Sequence, residues 1–361
     1  MKYPPVNYHD YLKLDELLST QKRRSEEFKA PAHDEMLFII VHQVFELWFK
    51  QIHFELNSVA EIFSKTPVAE SALSIANQRL HRITSIFKLF FGQIDVLETM
   101  TPLDFLEFRD YLYPASGFQS FQFRCVEIGL GLRQDDRLQF LQSSFEAHLR
   151  EDQQKLIKDI TAKPSLLNLT ESWLERTPFV ETKEFNFWSL YEDAVRQMLK
   201  NDRQVISSNP RLAEQDKIKS MKMMDGLELG FDALLDEKKY NELKAAGHFR
   251  LSHRALRSAL MIQLYRDEPI MQAPFQFISN LLDIDATMTQ WRYRHALLAQ
   301  RMLGSKIGTG GSSGSQYLKD AADKHKIFTD FFSLSSYLIP RSRVPALPDS
   351  VKKMMNFSSS F

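Results

Sequence analysis

The feature that most constrains the fold is the scarcity of chain-breaking residues in the first hundred positions. The first glycine is Gly92, and no proline lies between Pro31 and Pro67. Turns and strand ends draw heavily on these two residues, so a long stretch without them favours extended helices. Inside it, apolar residues recur three or four apart, among them Leu37, Phe38, Val41, Val44, Phe45, Trp48, Ile52, Val59 and Phe63. That spacing predicts a helix opened by Asp34 as N-cap, with Glu35 in its first turn, and running to about Ser64. Its wide aromatic face predicts a buried, central position.

The same spacing predicts a second helix over about 69–97. Thr101-Pro102 reads as an N-cap followed by proline at the first helical position of a third. That helix carries Phe105 and Arg109 four apart on one face and stops before Pro114; another follows over about 118–132. Between about 193 and 246 Lys, Asp and Glu become dense and aromatics thin out to Phe231 and Tyr240. This predicts an exposed, inserted helical unit, hinged near Gly226 and Gly230. The core pattern resumes near Leu251 and ends with an apolar helix closed by Pro340, with a loose tail after Pro345. The chain is therefore expected to form a single all-α domain over 1–361, a large helical bundle with one small insertion.

Composition narrows the function classes. Lys+Arg and Asp+Glu each total 46, so no global basic field exists to drive nucleic-acid binding. Cys125 is the only cysteine, which excludes an intrachain disulfide and any multi-cysteine metal centre, and fits a reducing compartment. The first ten residues hold no apolar leader segment, and no uninterrupted apolar run reaches spanning length. A soluble, cytoplasmic protein with no nucleic-acid or membrane partner is expected.

The histidines exclude several metal chemistries. None follows a glutamate by three residues and no two are four apart, so the ferritin-like and zincin helix patterns are absent. His33-x-Glu35 has the start of an iron-binding pattern, but at a helix start both residues read as capping and surface groups. Gly304 to Gly308 lacks the Gly-Lys-Ser/Thr ending of a phosphate-binding loop. Two isolated histidines remain on buried-looking helices, His42 one turn after Phe38 and His295 one turn after Trp291. Each reads either as a hydrogen-bonded core histidine or as an imidazole serving a haem, which needs one protein ligand and leaves no spacing signature. Arg109 reads either as a bidentate carboxylate clamp or as a surface arginine paired with Glu107 or Asp110. Five of the twelve glycines fall in Gly304–Gly314, a stretch that reads as a slack connector or as a closing lid bearing Thr309 and Ser312-Ser313.

At these residues the chain resembles the tryptophan 2,3-dioxygenase family, haem enzymes that open the indole ring of L-tryptophan. The matching stretches include His42-Gln43, Glu46-Leu47-Trp48-Phe49-Lys50-Gln51, Phe108-Arg109, Pro114-Ala115-Ser116-Gly117-Phe118-Gln119-Ser120, Trp173-Leu174-Glu175-Arg176-Thr177-Pro178, Trp291-Arg292-Tyr293, His295 and Arg301 through Gly314. They run in the family's order from about residue 8 to 341, with the 193–246 stretch matching weakly. The resemblance implies haem b, ferrous in the active form and ligated by His295, with O2 as co-substrate. It implies that His42 is the distal catalytic residue, accepting a hydrogen bond from the indole N–H. Arg109 would hold the substrate carboxylate and Thr309 its ammonium, while Phe38, Phe105 and Ser116 line the pocket. It further implies a homotetramer whose N-terminal arm (1–20) brings Tyr8, Tyr11 and Leu12 to a neighbouring subunit's site. A second, non-catalytic tryptophan site would use Arg82, Trp173, Arg176 and Pro178.

Overall fold

The computed structural model describes residues 3–138, 145–178, 186–304, 306 and 314–355, and among these the regular structure is helical throughout. Three short helices open the chain: α1 (Tyr8–Leu12), α2 (Leu14–Leu18) and α3 (Arg24–Glu27). Two long ones follow, α4 (Glu35–Phe63) and α5 (Glu70–Leu97), then α6 (Pro102–Arg109) and α7 (Phe121–Leu130). The middle of the chain supplies α8 (Glu151–Thr161), α9 (Leu166–Leu174), α10 (Phe187–Ser208), α11 (Glu214–Leu235) and α12 (Glu237–Ala245). The rest comprises α13 (His253–Leu264), α14 (Pro269–Leu303), α15 (Gly314–Lys324), α16 (Thr329–Ser333) and α17 (Asp349–Met355). No helix of the described residues is long and apolar enough to cross a membrane.

Several helix starts follow directly from local chemistry. Thr101 and Asp104 form a reciprocal capping box at α6, with Pro102 at the first helical position. Ser120, Ser165 and Ser252 cap α7, α9 and α13. Three expectations change. Glu35 is not a surface group: it is buried, and its carboxylate accepts from the backbone N–H groups of Arg24 at 2.8 Å and Ser25 at 3.0 Å. It thus caps α3 from the start of α4, where sequence distance hid the partner. Gly226 and Gly230 are no hinge, because both lie inside α11. The chain instead breaks between Ser208 and Glu214, where Asn209-Pro210 cannot continue the helix. The tail is not loose as far as Met355: α17 anchors Val351 and Met355 in the core.

The chain divides into two compact units whose boundaries fall inside α4, α5 and α14. One comprises Met1–Leu56, Ile83–Lys163 and Ala286–Lys326. Its core is aromatic: Phe45, Phe49, Phe90 and Phe123 surround Trp291 with ring centroids 5.1–6.1 Å away. Beside this cluster lies a buried ion network, in which Glu127 accepts from Arg292 at 2.6 Å, Arg137 at 2.6 Å and Arg124 at 2.8 Å. Arg292 also donates to the backbone carbonyl of His325, at the end of α15. The other unit comprises Asn57–Arg82, Pro164–Asp285 and Ile327–Phe361. There Phe63, Trp173 and Phe277 pack together, and Tyr191 and Tyr240 donate to the carbonyls of Tyr337 and Leu251.

Candidate active site

In the first unit α4, α5, α6, α7 and α14 enclose a cavity of about 270 Å³. Its wall is apolar (Phe38, Phe49, Ile94, Phe105, Leu298 and Met302 contribute), and into it face His42, Glu46, Ser120 and His295. The two histidines isolated by the sequence therefore meet at one cavity, His42 from α4 and His295 from α14.

Their chemistry differs. His42 Nδ1 lies 2.7 Å from the carbonyl oxygen of Phe38, one turn back on α4. A carbonyl only accepts, so Nδ1 carries the proton and, in the neutral ring, Nε2 is left as an acceptor. Burial lowers the His42 pKa, partly opposed by the Phe38 bond, which keeps the ring neutral. His295 stacks on Trp291 with centroids 5.7 Å apart and planes 18° from parallel. Burial first, and then His42, push its pKa down to about 4. An uncharged imidazole in an apolar wall is the state in which a ring nitrogen can coordinate a metal.

A polar donor lacking an acceptor lies in the lining: Trp291 Nε1 is buried with no hydrogen-bond partner among the described residues, as is Arg124 Nε, which lies outside the lining. In the network behind them, three guanidiniums face one carboxylate, and burial pushes His325 down to about 4, leaving it neutral. The wall around His295 thus offers an uncharged imidazole, apolar contact and one unmet N–H, a set that fits a flat metal-bearing cofactor.

Phe38 and Phe105 line the cavity with ring centroids 5.9 Å apart. Arg109, one turn after Phe105, is half-buried, and its Nη1 lies 3.7 Å from Asp110. It is not among the lining residues; neither is Ser116, whose neighbour Gly117 is. Thr309 falls outside the described residues. Tyr8, Tyr11 and Leu12, on α1, are exposed. In the second unit Trp173, Arg176 and Pro178 line a separate cavity of about 500 Å³, and Arg176 donates to Thr66 Oγ1 at 2.6 Å. Arg82 is not part of that lining.

Sequence reasoning passed over Glu46 and Ser120. Their hydrogen bond, Ser120 Oγ donating to Glu46 Oε1 at 2.5 Å, joins positions 74 apart and has no local signature. The one available signal was the spacing of Glu46, one turn after His42.

Comparison with known proteins gives the family of the whole chain. The sequence model of the tryptophan 2,3-dioxygenase family matches residues 3–338. The chain is 58% identical over 357 residues to the tryptophan 2,3-dioxygenase of Bdellovibrio bacteriovorus, covering 99% of both chains. It is 48% identical over 356 residues to the Dictyostelium discoideum enzyme of that name, covering 98% of this chain and 89% of that one. With the Xenopus laevis enzyme it shares 44% identity over 351 residues, covering 96% and 86%.

Proposed function

The chain belongs to the tryptophan 2,3-dioxygenase family, and from that premise we propose that it converts L-tryptophan and O2 to N-formyl-L-kynurenine, the first step of tryptophan catabolism by the kynurenine route. Both oxygen atoms enter the product as the indole C2–C3 bond breaks, so no external reductant is consumed. The observation that carries this reading is the shared cavity of His42 and His295, with His42 Nε2 left as an acceptor.

Haem b, held by His295, supplies the chemistry that activates O2 when bound in its ferrous form. Trp291 Nε1, in the cavity lining and unpartnered among the described residues, would be a donor to it. The remaining work is positioning. His42 Nε2 receives the indole N–H, and Phe38 and Phe105 hold the ring by apolar contact. Arg109, exchanging Asp110 for the substrate carboxylate, fixes the amino-acid end, with Ser116 beside it and Thr309 receiving the ammonium. Fixing both ends of the substrate orients it and excludes water.

The same reading makes the protein a cytoplasmic homotetramer, with residues 1–361 as one catalytic domain, the 193–246 stretch inserted, and no membrane or nucleic-acid partner. Exposed Tyr8, Tyr11 and Leu12 support the idea that the arm 1–20 seats on a neighbouring subunit. The Trp173, Arg176 and Pro178 cavity supports the second, non-catalytic tryptophan site, with Arg82 brought in by the bound ligand. The direct test is aerobic incubation of reduced, haem-loaded protein with L-tryptophan, following N-formylkynurenine absorbance. A haem-replete protein that forms none sinks the proposal.

A further inference from the structure

We infer that Glu46 is a positioning residue for this reaction: through its hydrogen bond to Ser120 it holds the chain between α6 and α7 in register with His42. The inference rests on the reading of the cavity as the tryptophan site.

A carboxyl group is out of place in this apolar wall. Removing it from water is costly unless it is hydrogen-bonded, and its own pKa is raised by that burial. Among the described residues it accepts one short bond, from Ser120 Oγ at 2.5 Å. Glu46 sits one turn beyond His42 on α4, so whatever fixes Glu46 to a second element fixes that element relative to His42.

The second element is the segment that carries Ser116 and Gly117. It carries local backbone bonds: Ala115 N–H to Leu112 O, Gln119 N–H to Ser116 O and Ser120 N–H to Gly117 O. Such bonds shape turns without locating them against α4. Ser120 stands where the turns end and α7 begins. Its hydroxyl accepts from Phe123 N–H at 3.4 Å as the helix cap while donating to Glu46. One hydroxyl therefore ties the start of α7 and the Gly117 wall to the helix that bears His42. It adds a directional polar tie to the apolar contact of Phe123 with Phe49, ring centroids 5.2 Å apart, by which α7 packs on α4.

The test is a double-mutant cycle on full-length, haem-loaded protein, read by L-tryptophan titration of the Soret band and by steady-state kinetics. Glu46→Leu and Ser120→Ala should each raise the tryptophan Kd about tenfold, about the size of one buried hydrogen bond. Together they should cost little more than either alone. Glu46→Gln keeps an acceptor for Ser120 and should stay within about threefold of wild type, against about tenfold for loss of the bond. Haem stoichiometry should not change, and KM should rise more than kcat falls. Wild-type affinity in Ser120→Ala, additive losses, or equal losses in Glu46→Gln and Glu46→Leu would each overturn the inference. If Glu46→Leu does not fold, Ser120→Ala and Glu46→Gln still decide it. Failure of the catalytic reading is separate, because it appears as a wild-type protein that makes no N-formylkynurenine.

Discussion

At the scale of single residues, the assignments turn on which atom of a ring is free. His295 presents an uncharged imidazole to the cavity, so His295→Ala should lose stoichiometric haem. An unchanged Soret band in the purified variant would contradict the ligand role. Arg109→Ala should weaken L-tryptophan by about 2–5 kcal/mol, the cost of removing one partner of a buried charged pair. Tryptamine, which has no carboxylate, should be affected far less; equal losses measured in parallel titrations would exclude the clamp. These residues were legible to different degrees. His42 and His295 stand out on paper as polar breaks in apolar helix faces, yet nothing in their spacing joins them, since α4 and α14 meet only in three dimensions. Arg109 is ambiguous for a physical reason: its guanidinium lies 3.7 Å from Asp110, the surface pairing that competes with the clamp. Glu46 was missed because a glutamate in a helix is ordinarily a solvated group, and only Ser120 shows otherwise.

At the scale of elements, helix existence was easier to read than helix joints. A run without glycine or proline places α4, and apolar spacing places α5 through Gly92, within a few residues of where they form. Glycine misled in α11: its helix penalty of about 1 kcal/mol is small beside the packing that holds the element. The buried Glu127 network was also illegible, since its members come from α7, the loop after it, α14 and the end of α15. It ties those elements together around one carboxylate held well below its usual range by Arg137, Arg124 and Arg292 despite burial. Glu127→Ala should cost about 3–5 kcal/mol, because it strands buried guanidiniums rather than merely deleting contacts. Urea unfolding should show it as a lower midpoint, and a midpoint equal to wild type would deny the network its structural role. His325, also part of it, gives a pH signature. Its folded pKa of about 4 lies below the ordinary 6.5, so its contribution is complete above pH 6.5. Between pH 6.5 and 4 the unfolded chain takes up the proton first, so the stability of haem-free protein should decline across that window. The decline should be less steep in His325→Ala but not absent, because His295 is pushed down as well. A flat profile there would show that His325 titrates normally.

At the scale of the whole molecule, the N-terminal segment is the part least explained by one chain. Tyr3, Val6, Tyr8, Tyr11 and Leu18 are each at least two-thirds exposed, an unusual concentration of large apolar side chains in so short a stretch. A neighbouring subunit is the partner proposed for them, so deleting residues 1–20 should both shift the assembly below tetramer in light scattering and lower kcat/KM. Full activity in a smaller assembly would separate the arm from catalysis. The 46 basic and 46 acidic residues balance one another. In the proposed tetramer, chains without net charge would meet without long-range repulsion near neutral pH, and arm seating would follow mass action. Specific activity of the proposed assembly should then fall on dilution even while every chain stays folded.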